Sequence, residues 1–255
     1  MAMKKKTASK APKSAKAAKQ LVVEHDVAQV IAALKKRSSK QTRDGMARYA
    51  IPSDKAFGVP VGVIRQLAKS LGTSHALAAA LWKSGHYEAR MLATFVDDAA
   101  LVTPQQMERW CKDFDNWAIC DTACFALFDR TPHAFKKVQQ WAKSPREFVK
   151  RAAFALLASL TVHDKQAADA AFERCLPLVE KAALDERNFV KKSVNWALRS
   201  VGKRSAALNR AAIQVAERLA DRPEAPPRWV GKDALRELKS APVQKRLAAR
   251  AGKKK

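Results

Sequence analysis

Trp117 and Asp121 stand four residues apart in the stretch DNWAICD. On a helix that spacing places them one turn apart on one face. An indole face attracts cations, and a fixed carboxylate stabilises positive charge developing beside it. The pair therefore suits a reaction with a cationic transition state. The segment continues as TACFALF, so the carboxylate lies on the edge of a helix that is otherwise apolar. Another tryptophan, Trp196, falls in VNWALR further along the chain. Other chemistries are poorly served. Cys111, Cys120, Cys124 and Cys175 form no C-x-x-C pair and no Cys/His cluster with zinc spacing. They read as buried thiols acting as small hydrophobes. His25, His75, His86, His133 and His163 are scattered, and no nucleophile–His arrangement stands out. No metal or cofactor is expected.

The acid stands in a strongly basic chain. Against 24 Asp and Glu, the 49 Lys and Arg give a net charge of +25 over 255 residues. Such a field attracts polyanions, nucleic acid first and an acidic membrane surface second. No apolar run approaches the length of a membrane span, and no apolar core of a signal peptide follows the N-terminal lysines. A reducing, cytoplasmic setting fits, in company with a bacterial-type nucleoid. The charge is uneven. Residues 1–20 contain seven lysines and no acid, and residues 245–255 contain six Lys or Arg and no acid. The expected organisation is a disordered basic tail (1–20), a helical body (21–243) and a second basic tail (244–255).

The body is read as all-α. PVGVIRQLAKSLG opens at Pro60, closes at Gly72 and places Ile64, Leu67, Ala68 and Leu71 on one face. Thr103–Pro104, Thr131–Pro132 and Ser144–Pro145 each resemble an N-cap followed by proline at the first helical position. FGVPVGV (57–63) is the nearest approach to a strand, and its glycines and proline make it a loop.

A repeat emerges when REFVKRAAFALLAS (146–159) is laid over RNFVKKSVNWALRS (187–200), an offset of 41 residues. An aromatic-x-x-basic signature also recurs as Tyr87/Arg90, Phe148/Arg151, Phe189/Lys192 and Trp229/Lys232. A period near 40 in an all-helical chain points to a superhelical solenoid of HEAT-like two-helix repeats. One helix of each pair then lines a concave basic groove. Arg90, Arg151, Lys192 and Lys232 should form a stripe there that the acids do not share, with Lys150, Lys191 and Arg199 as further phosphate contacts.

The stretches MARY (46–49), FGVPVGVIRQLAK (57–69), LWKSGHYEARMLA (81–93), WAICD (117–121), RAAFALL (151–157) and FVKKSVNWALR (189–199) together resemble the AlkD-like DNA alkylation repair glycosylases. The resemblance covers roughly residues 40 to 240. It implies a HEAT-like superhelix acting as a monomer on duplex DNA that contains alkylated bases. It implies hydrolysis of the N-glycosidic bond of cationic N3- or N7-alkylated purines, without a base-recognition pocket. By the same resemblance Asp121 is the catalytic carboxylate and Trp117 and Trp196 are its aromatic partners. Tyr49 lies beside them, and Arg151 contacts the backbone next to the lesion. Members often carry a second tryptophan just before the one matching Trp117, where this chain has Asn116. Two other classes stand beside this one: a HEAT-repeat protein that binds nucleic acid without cutting it, and a scaffold for acidic protein partners.

Overall fold

The computed structural model describes residues 27–252, and among these no strand occurs. A first helix, α1, covers 27–36. It is followed by α2 (Lys40–Gly45), a 3-10 turn (Met46–Tyr49) and α3 (Val61–Leu71). From there the chain runs as pairs. α4 (His75–Lys83) is followed by α5 (Tyr87–Val96), and α6 (Pro104–Lys112) by α7 (Trp117–Ala126). A 3-10 turn (Phe128–Arg130) leads to α8 (Ala134–Trp141) and α9 (Glu147–His163). The short α10 (Asp169–Glu173) and α11 (Leu176–Ala182) precede α12 (Asn188–Gly202). The final pair is α13 (Ala206–Ala220) and α14 (Ala225–Leu238), capped by α15 (Ala241–Gly252).

The second helices pack in sequence, α5 on α7, α7 on α9, α9 on α12 and α12 on α14. This is the stacking of a HEAT-like superhelix. The 41-residue repeat is physical, because α9 and α12 start at 147 and 188 and lie against each other. α9 is the centre of the core, with Phe154, Leu156 and Leu157 fully buried.

The six tryptophans divide between the two rows. Trp82, Trp110 and Trp141 are buried in the first helices. They form a seam in which Trp82 stacks on Trp110 at 4.0 Å, and Phe128 bridges Trp110 to Trp141. Burial of such large apolar faces is a major stabilising term. Trp117, Trp196 and Trp229 lie on the second helices and keep some solvent exposure.

Several helix boundaries differ from the sequence-based expectation. Thr103 does cap α6, its hydroxyl accepting from Gln106 N, with Pro104 at the first position. Thr131 instead closes the preceding 3-10 turn by donating to Phe128 O, and α8 begins at Ala134. Ser144 accepts from Arg146 N, and α9 starts at Glu147, beyond Pro145. The N-cap positions fall two residues further on, at His133 and Arg146. At the C-terminus α15 extends through Gly252, past the expected boundary at 243. Val243 and Leu247 are buried, and Gln244 donates to Asn209 and to Leu238 O. The expected tail over 1–20 lies outside the described residues.

The loop over 57–60 is held by a buried acid. Glu88 on α5 accepts from the backbone N–H groups of Phe57, Gly58 and Val59, at 2.9, 2.6 and 3.1 Å. Three such donors offset the cost of burying the charge. Gly58 has φ +82°, and a Cβ there would stand 2.2 Å from Ser39 O.

Candidate nucleic-acid interface and catalytic site

Asn116 starts α7 by accepting from Ile119 N at 3.0 Å, a cap that a tryptophan at this position could not make. The helix then carries Trp117, Asp121 and Phe125 on successive turns of one face. Trp117 donates through Nε1 to Tyr49 O at 2.8 Å. That carbonyl is aimed by the backbone at Ala50, which has φ 52°, the one positive φ at a non-glycine among the described residues. The Tyr49 side chain itself is 65% exposed. Arg48, Tyr49, Trp117, Arg151, Phe189 and Lys192 line a cleft of about 430 Å³ at the N-terminal ends of α7, α9 and α12.

Asp121 is gripped by Arg151. Nε donates to Oδ1 at 2.9 Å and Nη2 to Oδ2 at 2.7 Å. The third guanidinium nitrogen, Nη1, donates to Phe189 O at 2.8 Å. The Asp121 side chain is 17% exposed and that of Arg151 8%. Burial pushes the Asp121 carboxyl above its usual range, and the bonds from Arg151 offset this in part. Burial also opposes the charge on Arg151, but the bonds and charge of Asp121 outweigh it and raise its pKa. The pair is therefore a partly sequestered ion pair, of which Arg151 lines the cleft.

Trp196 lies elsewhere. It stacks on Phe125, with ring centroids 5.0 Å apart and planes within 3°. Both rings line a second depression at the C-terminal ends of α9 and α12. The expected flanking of Asp121 by Trp117 and Trp196 thus takes a particular form. Trp117 is one turn before the acid, and Phe125, carrying Trp196, is one turn after it, each in its own depression. Phe125 was not singled out in the sequence. Its signal was the i, i+4 continuation of Trp117 and Asp121.

The acid-free basic stripe is not observed. Arg90 lies 3.7 Å from Asp113 Oδ2 and donates to Asp113 O at 3.1 Å. Arg151 is held by Asp121. Lys150 pairs with Asp185 at 2.8 Å, and Arg199 with Glu237 at 2.6 Å. Most of these acids lie 23 to 38 residues away along the chain, in neighbouring repeats, where no local spacing reveals them. Lys191 and Lys192 have no carboxylate partner among the described residues. Lys191 Nζ stands over the Trp229 ring at 5.2 Å, and Lys192 lines the cleft. Arg48, absent from the sequence-based set, lines it as well. Lys232 sits further along α14 than its counterparts on α9 and α12, so the stripe drifts at its last member. Among the described residues no group of three His, Cys, Asp or Glu could hold a metal, and no helix is long and apolar enough to cross a membrane.

The stacked helix pairs, with a cleft of aromatic and basic side chains on the second row, define a HEAT-like repeat protein. A solved structure with TM-score 0.71 and 18% identity covers 87% of this chain and 95% of its own. It represents a family described as related to the HEAT-like repeat DNA glycosylases, with affinity for branched DNA structures. A search of curated proteins finds no significant match. The family model for DNA alkylation repair enzymes matches residues 30–238, and the chain belongs to that family.

Proposed function

We propose that this protein is a DNA glycosylase that releases cationic N3- or N7-alkylated purines from duplex DNA by hydrolysis. The observation carrying this proposal is the carboxylate of Asp121, set one turn from Trp117 and gripped by Arg151, both of which line a cleft with Phe189, Arg48 and Lys192. Alkylation at these positions already makes the base a good leaving group, so no general acid is required. The remaining task is to stabilise positive charge on the deoxyribose as the C1′–N bond breaks. The fixed Asp121 charge does this, and the Trp117 face favours the same charge. Trp196, stacked on Phe125, lies one turn beyond the acid in the separate depression. Lys192, Arg48 and Tyr49 hold the DNA backbone, while Arg151 fixes the orientation of the acid. An open cleft of this kind suits a lesion approached from the backbone rather than a base enclosed in a pocket.

The test is incubation of the protein with methylated duplex DNA and chromatography of the released bases. N7-methylguanine or N3-methyladenine from the wild type, and neither from Asp121→Asn, supports the assignment.

A specific observation favours a second function, binding without cleavage. Both Asp121 oxygens are taken by Arg151, so the acid is less available than a lone carboxylate. Binding of DNA with no released base in the same assay selects this alternative.

A further inference from the structure

The second-row helices border a depression at each end, and the two differ electrostatically. The Trp117 cleft lies at helix N-termini, where the dipole favours phosphate. The depression of about 990 Å³ containing Phe125 and Trp196 lies where α9 and α12 finish. Helix C-termini present carbonyls and repel phosphate. Here the carbonyls are covered. Arg204 donates to Thr161 O and Ala167 O, and Arg250 to Lys203 O and Arg204 O. Asp169, which also lines the depression, lies 3.6 Å from Arg204 and accepts from Ser205. Lys203 pairs with Glu237. That leaves Lys165 and Arg246 lining the depression with neither a carboxylate nor a carbonyl partner among the described residues.

The wall is a stacked aromatic pair, and Phe125 is held from behind. His163 meets Phe125 edge-on at 5.7 Å. Its Nδ1 bonds at 2.5 Å to Asp129, whose side chain is fully buried and also accepts from Ser159. The bond to Asp129 fixes the orientation of the imidazole against the Phe125 edge. The volume is at the upper end of the roughly 300–1,000 Å³ in which proteins enclose a small ligand. It has room for a nucleotide or two. A base stacked inside a duplex has no free face for an aromatic wall, whereas an unpaired base does.

We infer that this depression is a second nucleic-acid subsite that takes unpaired nucleotides of a DNA strand. The base lies against the Phe125–Trp196 stack and the phosphate on Lys165 and Arg246, while the paired region runs across the mouth of the Trp117 cleft. The inference rests on the DNA-binding part of the proposed function and supplies the class of DNA that would be preferred, duplex continuing into single strand.

Binding of the full chain to a blunt duplex is compared by fluorescence anisotropy with binding to the same duplex carrying a short thymidine overhang. The overhang should tighten binding about tenfold, from stacking of one or two bases. The double variant Lys165→Ala/Arg246→Ala should remove that advantage. It should also lower the salt slope on overhang DNA by about 1.4, two contacts at roughly 0.7 each. Phe125→Leu, measured on folded protein, should weaken quenching of a 2-aminopurine placed in the overhang. Equal losses on blunt and overhang DNA make the depression part of the duplex groove and overturn the inference. So does an absence of loss on both, or displacement of the overhang by micromolar deoxythymidine monophosphate, which assigns the depression to free nucleotides. Failure of the wild type to bind even blunt duplex is a different result, since it removes the DNA-binding function itself.

Discussion

Arg151 holds Asp121 by two parallel bonds, 2.9 and 2.7 Å, across 30 residues of sequence. Its remaining nitrogen is fixed by the Phe189 carbonyl on α12. One guanidinium thus ties α7, α9 and α12 together at the acid. Asp121→Asn removes the charge and keeps one acceptor. Excision per folded molecule should fall about 10²–10³-fold, as when preorganised electrostatic help is lost. The variant should also lose stability, since breaking a buried pair by removing one partner costs up to about 3–5 kcal/mol. Single-turnover excision normalised to folded protein separates the two effects. A lower melting temperature with an unchanged rate reduces Asp121 to a structural role.

Arg151→Lys retains charge but not the fork. An ammonium cannot reproduce the planar two-bond grip on Asp121 together with the bond to Phe189 O. If Arg151 positions the acid, excision should drop well before duplex affinity does. A loss of affinity with a reduced salt slope, and normal excision at saturation, would place Arg151 on the phosphate instead.

Lys192 and Lys150 provide a contrast within the basic set. Lys192 lines the cleft without a carboxylate partner, whereas Lys150 is paired with Asp185. Lys192→Ala should therefore lower the salt slope of duplex binding by about 0.9, one phosphate contact. Lys150→Ala should leave the slope unchanged and act on stability. The reverse pattern in salt titrations would contradict this division.

Asp185 gives a pH prediction. The Arg187 guanidinium, followed by Lys150, holds its carboxyl well below the usual carboxylate range despite partial burial. A depressed folded-state pKa contributes stability above the unfolded value of about 4 and loses it as pH falls through the folded value. Asp185→Asn should cost about 1–2 kcal/mol at pH 7, allowing for solvent screening. The difference from wild type should shrink as pH falls below about 4. Urea unfolding at several pH values measures it, and a pH-independent difference would show that the charge is not the cause.

Glu88→Gln replaces an acceptor of three N–H bonds with a weaker one and should loosen the 57–60 loop. Amide exchange at Phe57, Gly58 and Val59 should accelerate while the α9 core stays protected. Gly58→Ala should be worse, because both its φ and the approach of Ser39 O exclude a side chain. Unchanged protection in Glu88→Gln would mean that the loop is held by other contacts.

Local spacing in the sequence is enough to establish helices, their 41-residue repeat and the face shared by Trp117 and Asp121. These follow from a 3.6-residue period and from like residues facing alike in stacked pairs. The Gly72 stop of α3 and the Thr103 cap of α6 are likewise local chemistry. What the local sequence could not contain is the choice of partner between repeats. Whether Thr131 accepts from an N–H ahead of it or donates to a carbonyl behind it depends on where α8 starts. Whether Lys150, Arg151 and Arg199 face DNA or an acid depends on Asp185, Asp121 and Glu237, which only folding brings within reach. Trp117 and Trp196 were separable into two depressions only once α7, α9 and α12 were packed, because Phe125 carries Trp196 at the far end of α7. Periodicity assigns a side chain to a face; the neighbouring helix decides what that face meets.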